Sequence, residues 1–179
     1  MNLRSPAAFL SGLLLPLLAN AATADPVIWK VSQPDQIAGH TTTIHGSPTA
    51  APGEGLKFNG TTDAVFLDVR SVPEFEAGHA PGAYNIPLLE SRGGGLVPNA
   101  KFADEVAAAL PRDRTIVVAC KAGGRSAKAA GVLVQLGFER VLDHGGGWSG
   151  NATDVGWARS GGPQTTADAE GRSHRELVR

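Results

Sequence analysis

Short runs of apolar residues, separated by polar or glycine-rich stretches, are the first pattern along the chain. The runs at residues 64–67 and 115–119 are continuous, and the second is rich in β-branched residues, so both predict buried strands. Residues 84–86 and 140–142 form shorter runs and predict two further strands. Residues 91–98 include three successive glycines, from which we expect a loop.

Between these runs, apolar residues recur at helical spacing. One set precedes a proline that ends the predicted helix, and it consists of Phe102, Val106, Ala109 and Leu110. A second set has the spacing i, i+3, i+4, i+7, and it consists of Ala130, Leu133, Val134 and Gly137. Residues 72–82 contain two prolines and two glycines and allow at most a short helix. Strands that alternate with helices predict βα units and a mostly parallel sheet.

The N-terminus has the pattern of a targeting segment. One positive charge precedes a short apolar run at residues 9–18, and residues 19–21 and 22–24 both fit the small-x-small cleavage pattern. We therefore interpret residues 1–24 as a secretory signal peptide and expect a periplasmic or secreted protein. A membrane anchor is the alternative, but the run is short and broken by Pro16. We expect no membrane span after cleavage.

The remaining boundaries follow from composition. Residues 25–62 are rich in Thr, Gly, Pro and Ala, and we expect an atypical N-terminal extension packed on the sheet, for instance as a hairpin. Residues 63–160 hold the predicted βα units. Residues 161–179 are polar, and we expect a loose C-terminal tail.

Composition and charge exclude several classes of partner. The chain has 179 residues, which suits about one domain, and a formal net charge of −1. No field of one sign indicates a nucleic acid or an anionic membrane as partner. The five histidines have no metal-ligand spacing and there is one cysteine, so we expect no metal and no cofactor.

That cysteine, Cys120, directly follows the predicted strand 115–119, in the segment ACKAGGRSAKAAG. Ligands of parallel sheets bind beyond the carboxyl ends of the strands, where Cys120 is expected. A single cysteine cannot form an internal disulfide in an exported chain. The structural alternative is a buried, inert thiol that packs like a small hydrophobic side chain.

The residues after Cys120 favour a reactive thiolate instead. A helix is expected to open near Arg125 or Ser126, so the amides of residues 122–125 are expected to converge on the sulfur. Two glycines allow a tight turn, and Lys121 and Arg125 add positive charge. Each feature favours the thiolate form, and the same donors suit an anion beside the sulfur. The sequence therefore predicts a nucleophilic thiolate that attacks an anionic substrate.

Four separate segments resemble the rhodanese-like sulfurtransferases. They are LDVR at 67–70, EFEAGHAPGAYNIP at 74–87, CKAGGRS at 120–126, and GGGW at 145–148. The first two are similar to the family signature "LDVR…EF..GHIPGAINIP", with Ala80 in place of the usual isoleucine. The third is similar to the active-site loop, and the fourth to the segment that follows the last strand. The resemblance covers about residues 63–160, as one domain.

The resemblance implies an α/β fold of three layers, with a small, mostly parallel sheet flanked by helices. It also implies sulfur transfer from an anionic donor such as thiosulfate to cyanide or to a thiol, which a protein could carry. Cys120 would be the catalytic residue and would hold a persulfide. The implied substrate-binding residues are Lys121, Ala122, Gly123, Gly124, Arg125 and Ser126. Asp68 and Arg70 are supporting candidates, more consistent with an ion pair that holds the turn than with substrate contact.

Two other functions stay open at this point. The fold could serve a non-enzymatic module that carries a persulfide or binds a protein. The chain could also be a relative of arsenate reductases or phosphatases, but phosphatase members of the family have five residues between cysteine and arginine, and here there are four.

Several neighbouring residues also have structural interpretations. Ser126 could donate to a persulfide or cap the helix, whereas His79 is expected to stabilise a Gly-Pro turn. Trp148 and Trp157 are expected to pack in the core or at its rim. Asn151 begins the sequence Asn-Ala-Thr, which fits a glycosylation sequon but is short enough to occur by chance.

Overall fold

The computed structural model describes residues 29–30, 40–44, 49–51, 54–57 and 63–179, apart from 168 and 170. The predicted signal peptide at 1–24 lies outside the described residues. Within the described part, no helix is both long enough and apolar enough to cross a bilayer.

The centre of the fold is a mixed sheet in which the strands around Cys120 run parallel. From one edge of the sheet to the other, the strands lie in the order 40–44, 140–144, 115–119, 63–68, 29–30, 54–57 and 49–51, and the strand at 84–85 also pairs with 63–68. Four neighbouring strands run parallel, and they are β2 His40–Ile44 at one edge of the sheet, then β10 Arg140–His144, β9 Thr115–Ala119 and β5 Asp63–Asp68. The short strand β6, Tyr84–Asn85, is parallel to β5. The bounds of β5, β6, β9 and β10 confirm the four strands predicted from the apolar runs.

Between residues 25 and 62, the described residues form three further strands besides β2. They are β1 Trp29–Lys30, β3 Thr49–Ala51 and β4 Glu54–Lys57. Strand β1 is antiparallel to β5 and parallel to β4, and β3 is antiparallel to β4. The domain boundary at residue 63 stays a prediction.

Helices flank the sheet, and all but the C-terminal one lie where the sequence predicted or allowed a helix. They are α1 Val72–Glu76, α2 Phe102–Ala109, α3 Gly124–Gln135 and the C-terminal α4 His174–Leu177. Every residue of β9 is buried because successive side chains enter two separate cores. Ile116 and Val118 pack in one core with α2 and α3, which contribute Val106 and Leu133. Val117 packs in the other.

The second core lies on the opposite face of the sheet. It combines Phe66 of β5 and Phe75 of α1 with Trp157 and Ala169 from the segments after β10. The ring centroids of Phe66 and Trp157 are 5.2 Å apart. Trp157 is therefore a core residue, as expected, and apolar side chains cover both faces of the sheet at β5, β9 and β10.

The loop predicted at residues 91–98 is wrong, because these residues belong to a β-hairpin. Strands β7 Leu89–Arg92 and β8 Gly95–Pro98 pair antiparallel, with Arg92 opposite Gly95. The two residues between them, Gly93 and Gly94, have φ values of +57° and +81°. Positive φ at both central positions is the requirement of a tight two-residue hairpin turn, which glycine meets without strain.

The prediction of a loose C-terminal tail is also wrong, because the segment after residue 160 is tied to the domain. Thr165 and His79 exchange two backbone hydrogen bonds of 2.9 Å, and Asn85 N–H donates to the Arg172 carbonyl at 2.9 Å. Ala169 is buried in the second core. Backbone pairing and one small apolar side chain thus anchor a segment whose composition is polar.

Candidate active-site loop

Three parallel strands deliver their carboxyl ends to one edge of the sheet. In the β5–β9 register Asp68 is opposite Ala119, one residue before Cys120. In the β9–β10 register Val118 is opposite Asp143, shortly before the glycine-rich turn at residue 145. The sheet therefore brings together Cys120, the supporting pair of β5 and the GGGW segment, which are far apart in sequence.

Cys120 lies at the base of the loop that joins β9 to α3. Its residue surface is only 2% exposed. The Gly123 N–H donates a hydrogen bond to Cys120 Sγ over 3.1 Å, and α3 begins at the next residue. Because a helix N-terminus carries partial positive charge, its start favours negative charge on the sulfur.

The other three amides expected near the sulfur belong to Ala122, Gly124 and Arg125. Among the described residues, none of these three N–H groups donates to an acceptor. Of the four amides expected to converge on Sγ, the structure thus brings Gly123 into hydrogen-bond contact. The others remain available as donors around the opening turn of α3.

A second loop donates hydrogen bonds to the backbone carbonyls of the Cys120 loop. We call residues 145–157 the clamp loop. Trp148 N–H donates to the Cys120 carbonyl at 2.7 Å, and Ser149 N–H donates to the Lys121 carbonyl at 2.8 Å. The Asn151 side-chain amide donates to the Ala122 carbonyl at 3.2 Å. Three successive carbonyls of the Cys120 loop therefore accept from the clamp loop.

The close approach of the two loops requires glycine at position 147. Gly147 has φ of +55°, and a Cβ there would lie 2.6 Å from the Cys120 carbonyl oxygen. No real Cβ contact is that short, so any side chain would push the clamp loop off the Cys120 loop. The GGGW segment thus supports the site through backbone geometry.

Arg125 is held by a carboxylate that the sequence analysis did not single out. Its two terminal nitrogens donate to the two oxygens of Glu74 at 2.7 and 2.8 Å. Glu74 also accepts from the backbone N–H and hydroxyl of Ser71, in a capping box at the start of α1. The Ser-x-x-Glu spacing of 71–74 is the sequence signal that could have revealed this residue.

The hydrogen bonds of this ion pair stabilise the charged form of Glu74. Burial would raise the pKa of Glu74, but the hydrogen bonds from Arg125 and Ser71 outweigh burial and lower this pKa to about 2. The hydrogen bonds to Glu74 in turn raise the pKa of Arg125 above its usual value. Arg125 therefore has its charge balanced and its direction fixed, and it connects the Cys120 loop to α1.

Asp68 and Arg70 form a buried ion pair, with 2.6 Å between Arg70 Nη2 and Asp68 Oδ2. Arg70 Nη2 also donates to the Gly78 carbonyl at 2.8 Å. The Arg70 guanidinium carbon lies 4.3 Å from the ring centroid of Trp148, a cation–π contact with the clamp loop. These contacts hold the turn after β5 against both the turn that follows α1 and the clamp loop.

The remaining candidates have separate surroundings. Lys121 is exposed and forms no salt bridge with any residue in the described part of the chain. Ser126 is buried, and its hydroxyl donates to the Gly123 carbonyl at 2.9 Å. His79 stacks on Phe75 at 3.8 Å between ring centroids, with Nδ1 3.0 Å from the Phe75 carbonyl oxygen. Burial lowers the pKa of His79.

Asn151 is the second site residue that the sequence analysis missed. Its only sequence signal was the Asn-Ala-Thr pattern, which indicated glycosylation. Besides the Ala122 carbonyl, its amide donates to the Gly145 carbonyl at 2.8 Å. A glycan on this nitrogen would replace one of the two donated hydrogens.

The arrangement has the features of an anion site built around a nucleophile. A sulfur atom accepts from one loop amide, further amides lie at a helix start, and the same loop contains an exposed lysine that forms no salt bridge within the described part of the chain. Among the described residues, no group of three His, Cys, Asp or Glu side chains is placed to hold a metal ion.

The central part of the chain is similar in sequence to known proteins. The family model described as a rhodanese-like domain matches residues 52–153. Thiosulfate sulfurtransferase 16, chloroplastic, from Arabidopsis thaliana is 39% identical over 98 residues, which are 55% of this chain and 77% of that protein. Protein HIGH ARSENIC CONTENT 1, mitochondrial, from the same plant is 37% identical, over 58% of this chain and 61% of that protein.

A solved structure is also similar. The rhodanese-like domain of an Anabaena protein is 27% identical, covers 56% of this chain and 97% of that one, and has a TM-score of 0.44.

Replacing Glu74 with Gln is expected to flatten the acid dependence of stability. A carboxylate with a lowered pKa adds stability above its unfolded value of about 4.5 and loses it as the pH falls to about 2. Glu74→Gln lacks this titration. Urea unfolding at a series of pH values should therefore show a shallower loss of unfolding free energy in the variant across that range.

Glu76→Gln is the matched control, since Glu76 is on the same helix and its ion pair with Arg175 is exposed. This variant should retain the wild-type slope. An unchanged slope in Glu74→Gln would contradict the assignment of Glu74 as the acid-sensitive partner of Arg125.

Proposed function

The chain belongs to the rhodanese-like domain family, and we propose that it is a sulfurtransferase whose nucleophile is Cys120. The observation that carries the proposal is the hydrogen bond from the Gly123 amide to Sγ, at the point where a buried strand meets a helix start. The relative named as a thiosulfate sulfurtransferase supports the same reaction class. Thiosulfate is the proposed donor.

The proposed first half-reaction loads sulfur on the enzyme. The Cys120 thiolate attacks the outer, sulfane sulfur of thiosulfate, and a new S–S bond forms to Sγ. The original S–S bond of thiosulfate breaks, and sulfite leaves with its electron pair. Cys120 then carries a persulfide, and no external oxidant or reductant is consumed.

The second half-reaction returns the enzyme to its starting state. Cyanide or a thiolate attacks the outer sulfur of the persulfide, and the bond to Sγ breaks. The electron pair returns to Sγ, which regenerates the thiolate, and the product is thiocyanate or a new persulfide. The acceptor thiol could belong to a small molecule or to a protein.

The charges of the loop suggest how the anion is recognised. We expect the amides of Ala122, Gly124 and Arg125 to donate to the transferred sulfur or to the departing sulfite. Lys121 is exposed and unpaired among the described residues, so it is the side chain that attracts the anion. Arg125 is paired with Glu74, so its role is to hold the loop rather than to add net charge. This refines the expectation that both cations steer the substrate.

One observation favours a second candidate function. Cys120 is 2% exposed, and a closed loop would suit a non-enzymatic module that carries a persulfide or binds a protein partner. The two candidates differ in whether a small donor can load the sulfur unaided.

Mass spectrometry after mixing the protein with thiosulfate separates the two candidates. The sulfurtransferase gains the mass of one sulfur atom on the peptide that contains Cys120, and added cyanide removes it as thiocyanate. Cys120→Ser should gain nothing. A wild-type thiol that reacts with an alkylating agent but gains no sulfur would overturn the proposal and favour the carrier.

Substitution of Lys121 should weaken donor binding selectively. Lys121→Gln removes one exposed charge beside the anion, which is expected to raise the KM for thiosulfate by about threefold to tenfold with little change in kcat. Raised salt should shrink the difference. Lys128→Gln, a substitution on the exposed surface of α3, is the control and should leave KM unchanged. A pure loss of kcat in Lys121→Gln would contradict the steering role.

The proposal also includes export to a periplasmic or extracellular compartment. Its support is the apolar run at residues 9–18 followed by two cleavage patterns. Expressed with its full N-terminus in a bacterial host, the protein should appear in the periplasmic fraction, cleaved after residue 21 or 24. Recovery of uncleaved chain from the cytoplasm alone would refute export.

A further inference from the structure

We infer that Asn151 is a positioning residue for the Cys120 nucleophile, acting through the peptide unit that joins Ala122 to Gly123. The inference rests on the proposed function in one respect, since Cys120 must be the reacting group. It adds a residue of the clamp loop whose side chain, among the described residues, forms no hydrogen bond with the sulfur or with α3.

The carbonyl and the N–H of one peptide group each form a hydrogen bond within the site. The carbonyl of Ala122 accepts from Asn151 Nδ2 at 3.2 Å, and the N–H of Gly123 donates to Cys120 Sγ at 3.1 Å. These two groups belong to the same planar trans peptide, so they point in opposite directions and rotate together. A donor that holds the carbonyl therefore also aims the N–H at the sulfur.

The orientation of the Asn151 amide is fixed by its partners. Its nitrogen faces two carbonyl oxygens, those of Ala122 and Gly145, which only accept. Its oxygen Oδ1 accepts from the backbone N–H groups of Thr153 and Asp154 at 2.9 and 3.0 Å, which only donate. The Thr153 hydroxyl donates to the same oxygen at 2.8 Å. The reversed amide would oppose all four backbone groups.

The hydrogen bond to the Gly145 carbonyl links Asn151 to the end of a strand. Gly145 directly follows β10, and β10 pairs with β9 in the sheet. The Asn151 amide therefore connects the Cys120 loop to the residue that directly follows a neighbouring strand. Trp148 and Ser149 hold the two preceding carbonyls with backbone N–H groups, so Asn151 is the side chain among the three donors. It can be changed without altering the backbone.

Two substitutions of Asn151 distinguish the role of its Nδ2 donor from that of its Oδ1 acceptor. Asn151→Asp keeps the oxygen that accepts from Thr153 and Asp154 but replaces the donor with an oxygen that faces two carbonyls. Asn151→Ala removes both functions without adding charge. Thr153→Ala is the control, because it removes one hydroxyl donor to Oδ1 and leaves the Nδ2 donor intact.

The primary measurement is the ratio of thiolate to thiol at Cys120, from the ultraviolet absorbance of the thiolate. Each spectrum is referenced to the same variant carrying Cys120→Ser. Loss of a hydrogen bond to a charged group predicts a fall of about tenfold in this ratio for Asn151→Asp and Asn151→Ala at fixed pH. Thr153→Ala should stay within about twofold of wild type. Circular dichroism monitors folding throughout.

Three results would overturn the inference. They are a ratio in both Asn151 variants within about twofold of wild type, an effect of Thr153→Ala equal to that of Asn151→Asp, and failure of Asn151→Ala to fold. The measurement uses no sulfur donor. If wild type takes no sulfur from thiosulfate while the ratio still falls in the Asn151 variants, the proposed function fails and the positioning role stands.

Discussion

The site depends on one constraint, that three successive carbonyls of the Cys120 loop all point into the clamp loop. The carbonyls of Cys120, Lys121 and Ala122 accept from Trp148, Ser149 and Asn151. Because the carbonyl and N–H of a peptide point in opposite directions, fixing the carbonyls on one side turns the N–H groups to the other. The hydrogen bond from the Gly123 N–H to Cys120 Sγ follows from this orientation. The sheet positions the Cys120 loop, and the ion pairs of Arg70 and Arg125 hold the neighbouring elements in place.

The positively charged side chains of the site differ in whether they form an ion pair with a carboxylate. Arg70 is buried against Asp68 and Trp148, and Arg125 is paired with Glu74, so both hold elements together. Lys121 alone among these three is exposed without a salt bridge in the described part of the chain. A loop held by balanced charges keeps its amides in place, whereas a free lysine can respond to an arriving anion. This division suits a site that must bind an anion and then release one.

The sequence predicted the elements that periodicity specifies and missed those that depend on single contacts. The run 115–119 gave strand β9 because both of its faces are buried, and the position of Cys120 followed from it. The hairpin at 89–98 was missed because glycines signal a turn without showing that its flanks pair. The anchored C-terminal segment was missed because its attachment is through the backbone of Thr165 and Arg172, which composition does not report. Asn151 and Glu74 became site residues only when the fold placed their partners beside them.

A crystal structure of the protein after reaction with thiosulfate would test the central claim most directly. The account predicts a persulfide on Cys120 whose outer sulfur lies within hydrogen-bond distance of amides from residues 122–125, with the three clamp-loop hydrogen bonds intact. An outer sulfur that points away from these amides, or a clamp loop that separates to admit it, would contradict the account.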